Sequence, residues 1–269
     1  MRKEGYLIAI DLDGTLLQGF DKYNKECFDY LKKIAKYNYI VIATGRPLRS
    51  SKYYYDLLEL KTPIINYNGA LVHHPLNSDF KKSMVTVEKT DIIKIIKDNE
   101  EDLMNIFCEV EDDIFLLKVQ DDINPYLHLD GGVLHLGDFE ETLKSNPNGA
   151  ICFSKPNTGE NLKKYIENTF KGKLLIRFWD DENYVISEIY NPLTTKANGL
   201  KRIIEYLNVP FEKTIAIGDG HNDAEMIAYA GLGVAMGNAI DKCKKVADYI
   251  TTDIDDNGIY NAFKYAGII

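Results

Sequence analysis

The chain lacks the marks of several large protein classes. It has only four cysteines, Cys27, Cys108, Cys152 and Cys243, far apart and with no C-x-x-C pair. That spacing excludes a small disulfide scaffold and argues against a zinc site, so the four read as buried free thiols in a reducing compartment. No long hydrophobic run is present. The longest uncharged apolar stretches are strand-sized, which excludes a helix that spans a bilayer. Positive charge is in deficit: 32 Lys and Arg against 41 Asp and Glu leave a formal net charge of -9. Nucleic acid and anionic membranes are therefore excluded as main partners. There is no internal repeat, no low-complexity segment and no Walker A pattern. Met1-Arg2-Lys3-Glu4-Gly5 leads straight into a strand, so we expect no signal peptide and a cytoplasmic location.

What remains is a core-forming chain. Its 269 residues are 45% hydrophobic and 27% charged, enough for one large domain or two ordinary ones. The first third alternates strand and helix. Tyr6–Leu12 fits a strand buried on both faces, and 22–37 carries Phe28, Leu31, Ile34 and Ala35 at helical spacing. Strands are expected at Tyr39–Ala43 and Pro63–Tyr67, with a helix from Arg49 to Leu60 between them. The last third resumes this pattern. A helix carries Ala197, Leu200, Ile203, Ile204 and Leu207. Strands follow at Thr214–Ile217, Leu232–Met236 and Tyr249–Thr251. Asn222 is expected to cap a helix Asp223–Ala230, and Ala239–Ala247 to form another. The middle differs: helices near 88–101 and 158–170 sit among hairpin-like strand pairs, 104–110 with 113–119 and 173–179 with 183–189. The fold class expected is α/β, a Rossmann-like parallel-sheet core (1–81 and 189–269) interrupted by an α+β domain (82–188) with an antiparallel sheet.

In a parallel α/β sheet the ligand crevice lies at the carboxyl ends of the strands. Those ends carry Asp11 and Asp13, then Thr44 and Gly45, then Asn68, then Asp219, Asn222 and Asp223. Four carboxylates converging on one crevice cannot all stay ionised without cations. A divalent ion and one lysine bring them close to neutrality. An all-oxygen ligand set favours Mg²⁺. Small residues around the acids, such as Gly14, Thr15 and Gly218, let backbone N–H groups approach an anion.

Rival readings of single features are weaker. Gly14 comes too early for an EF-hand loop, and Gly231-x-Gly233-x-x-x-Gly237 misses the dinucleotide spacing. His73 and His74 are adjacent on an extended segment, so they point to opposite faces. Trp179, beside Asp180 and Asp181, lies at a hairpin tip and is a candidate substrate contact.

Taken together, Asp11-x-Asp13-Gly14-Thr15-Leu16, Thr44-Gly45-Arg46, Lys196 and Gly218-Asp219-Gly220-x-Asn222-Asp223 resemble the four ordered motifs of the haloacid dehalogenase (HAD) superfamily. Asn68-Gly69-Ala70 and Met236-Gly237-Asn238-Ala239 are similar to segments of its Cof-type phosphatases, as is the position of the insertion. The resemblance implies a Mg²⁺-dependent phosphatase for small phosphorylated metabolites, sugar phosphates or phosphorylated cofactors, with the inserted domain as a cap that closes over the crevice. It implies Asp11 as nucleophile and Asp13 as acid/base. Mg²⁺ is then held by Asp11, Asp219 and the backbone carbonyl of Asp13. Thr44, Gly45, Lys196 and Asn222 bind phosphate, and Asp223 stands behind them. Arg46 and Asn68 are candidate substrate contacts. A hexose phosphomutase of the same superfamily is the nearest alternative. A phospho-aspartate receiver fits less well, because receivers lack the insertion and the Gly218–Asp223 turn, and a non-catalytic phosphate or metal sensor fits less well because Asp11, Asp13, Lys196 and Asp219 are all present. The oligomeric state is not specified.

Overall fold

Strand Leu7–Ile10 is four aliphatic residues with no exposed surface, as a strand covered on both faces requires. It is an interior strand of a five-stranded, all-parallel sheet. The order is Tyr249–Ile250, Leu232–Ala235, Thr214–Gly218, Leu7–Ile10, Tyr39–Ile42. The structure, a computed structural model, describes residues 3–19, 21–129, 131–180 and 183–269; the expected turn residues 181 and 182 lie outside them.

Register is what builds the crevice. Ile10 stands opposite Ile217 on one side and Ile42 on the other. The Asp11 N–H donates to the Ile217 carbonyl at 3.0 Å, and the Ala43 N–H to the Ile10 carbonyl at 2.9 Å. Three strands therefore end level, and their next residues emerge side by side. The chain leaves strand Leu7–Ile10 toward one neighbour and returns much later to the other, which makes a topological switch point.

Sequence-derived boundaries shift where local capping decides. The first helix runs Lys25–Ala35, not 22–37. Asn24 caps it by accepting from the N–H groups of Glu26 and Cys27, while Lys22–Tyr23 pairs with Leu17–Gln18 in a small hairpin. The next helix is Leu48–Leu57 and the strand after it Ile64–Asn66. In the last third the helices are Lys196–Leu207, Ala224–Tyr229, Asp241–Val246 and Gly258–Ala266.

The chain divides into two compact units. One holds the parallel sheet and comprises residues up to Arg46, Ser51–Ser83 and Thr195–Ile269; the other comprises Pro47–Ser50 and Met84–Thr194. The second unit has a six-stranded sheet ordered Val133–Leu136, Asp113–Leu116, Leu103–Val110, Ala150–Ser154, Val185–Tyr190, Leu175–Asp180. It is mixed rather than purely antiparallel, because Val133–Leu136 pairs parallel with Asp113–Leu116. The unit runs on past residue 188 because Val185–Tyr190 is paired on both sides. Ile92 and Ile95 of helix Lys89–Asp98, with Leu162 and Ile166 of helix Gly159–Phe170, pack on one face of this sheet, against Ile106, Cys152 and Ile189.

Cys108, Cys152 and Cys243 are buried free thiols, whereas Cys27 is only half-buried. Among the described residues no helix is long and apolar enough to cross a membrane. Leu7→Ala removes a fully buried side chain from strand Leu7–Ile10. Chemical denaturation should show at least about 2 kcal/mol of lost stability; a loss under about 1 kcal/mol would contradict this placement of the core.

Candidate active site

Asp11 follows strand Leu7–Ile10 and is 5% exposed. The fully buried Lys196 donates from Nζ to Asp11 Oδ1 at 2.5 Å and to Asp223 Oδ1 at 2.7 Å. Lys196 opens helix Lys196–Leu207, whose start is fixed by Thr195 Oγ1 accepting from the Asn198 N–H at 3.0 Å. Burial opposes the lysine's charge, but the adjoining Asp11 and Asp223 carboxylates raise its pKa above the usual value. The second oxygen of Asp223 accepts from the N–H groups of Asp219 and Gly220, at 3.1 and 2.9 Å. Both Asp223 oxygens thus have donors, and the residue holds the acidic turn and the lysine in place.

Asp219 accepts from the Thr15 hydroxyl at 2.6 Å. Gly14, between the two acidic segments, has φ +83° and lies so close to Asp219 that a Cβ would strike the carboxylate. Asn238 donates to the Gly14 carbonyl at 2.8 Å and fixes the turn from a third direction. Carboxylate oxygens of Asp11, Asp219 and Asp223 lie within 4.8 Å of one another. Burial first, and then the Asp223 charge, raise the Asp11 pKa against the pull of Lys196. Burial pushes Asp219 up to about 6, although the Thr15 hydrogen bond opposes it. A compact, all-oxygen, charge-frustrated cluster of this kind fits a hard divalent cation.

Asp13 is placed differently from Asp11. Its side chain is 46% exposed and lies outside the Asp11–Asp219–Asp223 cluster. It is gripped by Arg46, which donates from Nε to both carboxylate oxygens at 3.1 and 2.9 Å and from Nη2 at 2.5 Å. Arg46, expected as a candidate substrate contact, therefore faces Asp13. Thr44 is fully buried, and its hydroxyl oxygen accepts from the Arg46 N–H at 3.1 Å. Asn222 makes no side-chain cap to helix Ala224–Tyr229; its amide donates to Asn68 Oδ1 at 2.6 Å. That asparagine pair flanks Gly45, where a Cβ would come within 3.0 Å of Asn68 Oδ1. The structure thus gathers two groups: Asp11, Lys196, Asp219 and Asp223 in one, and Asp13 with Arg46 in the other.

Sequence reasoning assigned no partner to Thr15, Asn238 or Thr195. Thr195 had a readable signal, as a threonine opening a helix. Thr15 and Asn238 act across 204 and 224 residues of chain, and no local pattern announces such partners.

A family model described as haloacid dehalogenase-like hydrolase matches residues 8–263. A Bacillus subtilis protein named 5-amino-6-(5-phospho-D-ribitylamino)uracil phosphatase YitU is 33% identical over 267 residues, covering 98% of both chains. YcsE of the same organism, named for the same activity, is 29% identical over 262 residues, covering 96% of this chain and 94% of its own. Among solved structures, the phosphatase BT1666 from Bacteroides thetaiotaomicron superposes with a TM-score of 0.79 at 26% identity, over 99% of this chain and 96% of that one.

The raised carboxylate pKa values have a consequence for stability. Asp219 holds its proton in the folded state at a pH where the unfolded chain has released it, and the Asp11 pKa is shifted in the same direction. The Asp219 contribution is complete below about pH 4 and is lost as the pH rises through about 6. A bound cation offsets that loss. Mg²⁺ should therefore raise the melting temperature more at about pH 7.5 than at about pH 5. Equal shifts at both pH values would contradict the coupling.

Proposed function

The chain belongs to the haloacid dehalogenase-like hydrolases and is a phosphoric monoester hydrolase, and we propose that it works in the cytoplasm by transferring the phosphoryl group of a small metabolite to Asp11 and then to water. The observation that carries this reading is the lysine-locked Asp11 two residues from the half-exposed Asp13. Lys196 fixes one oxygen of Asp11 and so sets the direction of the other, as a nucleophile needs. The Asp11 oxygen bonds to phosphorus as the bond to the leaving oxygen breaks, and Asp13 supplies the proton to that oxygen. Water then attacks phosphorus, its proton passes to Asp13, and the Asp11–phosphorus link breaks.

Asp11 and Asp219 would hold Mg²⁺, with Asp223 behind them, because Asp223 already has donors on both oxygens. Bound there, the ion supplies charge neutralisation between carboxylate and phosphate. Lys196 screens the nucleophile from the same side. Thr44 and Gly45 line the approach to the phosphate, with Asn68 and Asn222 fixing the loop around them.

The likeness to YitU and YcsE makes 5-amino-6-(5-phospho-D-ribitylamino)uracil the first substrate to test, followed by sugar phosphates. Hydrolysis of p-nitrophenyl phosphate should require Mg²⁺. It should fall at least about a thousandfold in Asp11→Asn and in Asp219→Asn. Full activity in Asp11→Asn would refute the proposed nucleophile.

A further inference from the structure

Asp13 stands on an exposed turn, and a proton carrier has to be held within hydrogen-bond reach of its partner. Among the described residues its side chain is held by Arg46, so the question becomes what holds Arg46. One edge of the guanidinium faces Asp13. Nη1, on the other edge, is 3.6 Å from Asp21 Oδ1. The guanidinium carbon lies 5.7 Å from the centroid of the Tyr54 ring, within the range of a cation–π contact. The Tyr54 hydroxyl donates to the same Asp21 Oδ1 at 3.0 Å. Tyr54, Asp21 and Arg46 therefore close a ring of contacts behind Asp13.

The three members are not equally fixed. The Asp21 side chain is 82% exposed, so its ion pair with Arg46 is weak by itself. Tyr54 is 3% exposed. Its ring is wedged between Tyr23 at 6.3 Å and Phe28 at 6.2 Å, both edge-on. Tyr23 belongs to the small hairpin that carries the chain from the catalytic turn to Asp21. The aromatic cluster thus fixes Tyr54, the Tyr54 hydroxyl fixes Asp21, and together they fix the guanidinium.

We propose that Tyr54 and Asp21 are positioning residues that aim Asp13 through Arg46. The proposal rests on the reading of Asp13 as the proton carrier. Its consequence is confined to steps that move a proton. With p-nitrophenyl phosphate the nitrophenolate leaves without needing one, so transfer to Asp11 is spared. In the second step a water oxygen bonds to phosphorus, the Asp11–phosphorus bond breaks and the water proton goes to Asp13, so misaiming Asp13 slows this step.

The test is rapid-mixing kinetics of Tyr54→Phe, which keeps the ring packing and deletes the hydroxyl, and of Asp21→Asn. Both should release one equivalent of nitrophenolate at the wild-type rate and then turn over about tenfold more slowly. For that substrate kcat should fall while kcat/KM is unchanged. For an alkyl phosphate, whose leaving oxygen needs the proton, kcat/KM should fall as well. Arg46→Lys should show the same split, because an ammonium cannot replace the two-pronged grip. Parallel losses of kcat and kcat/KM with p-nitrophenyl phosphate, or unchanged kinetics, would overturn the proposal. Absence of any Mg²⁺-dependent turnover in the wild-type protein would instead refute the phosphatase mechanism on which it rests.

Discussion

A lysine ammonium with no exposed surface, held between two aspartates, is the constraint around which the core unit is organised. An ammonium taken out of water costs several kcal/mol unless its partners are close and well directed. Lys196 meets Asp11 across 185 residues of chain and Asp223 across 27. Those contacts need strand Leu7–Ile10, the acidic turn and the start of helix Lys196–Leu207 to arrive together. Level strand ends make this possible, since Ile10 is in register with both Ile42 and Ile217. The lysine does not cancel all the charge gathered there. Asp219 remains; burial first, and then the Asp223 charge, raise its pKa, a shift that a bound cation would oppose.

Two carboxylates with one residue between them are given different surroundings by the fold. Asp11 is buried and bound to an ammonium. Asp13 is half-exposed and held from outside the acidic cluster by Arg46. The first environment suits a group that must attack in a fixed direction, and the second suits one that must exchange protons with water and leaving group. The Asp21–Tyr54 ring extends the second environment outward to the hairpin Leu17–Gln18/Lys22–Tyr23. The short hairpin after the Asp11–Asp13 turn is thereby tied to Arg46, which grips Asp13.

Much of this was legible in the sequence because it depends on local pattern. Aliphatic runs, two of them ending in acids, locate the parallel strands, and the apolar face of Leu200 and Ile203 locates the helix that carries Lys196. Other features were not legible, for definite reasons. The hairpin before the first helix has two-residue strands, too short to show any alternation. Strand Ala150–Ser154, which pairs on both sides in the second sheet, reads as a brief apolar stretch after Asn146-Pro147-Asn148-Gly149. The parallel edge strand Val133–Leu136 requires a crossover that hairpin spacing does not reveal. Asn222 looked like a helix cap because asparagine prefers that position, but a tertiary partner, Asn68, takes its amide. Arg46 could have met any acid, and only the folded chain sets it against Asp13.

The central claim is that Asp11 itself carries the phosphoryl group during turnover. The most direct measurement is mass spectrometry of the protein acid-quenched while it hydrolyses substrate in the presence of Mg²⁺, with Asp13→Asn used to slow loss of the intermediate. The account predicts a phosphoryl group on the peptide that contains Asp11, absent when Asp11 is replaced by Asn. Turnover with a phosphoryl group on another residue, or with none at any time during the reaction, would contradict it.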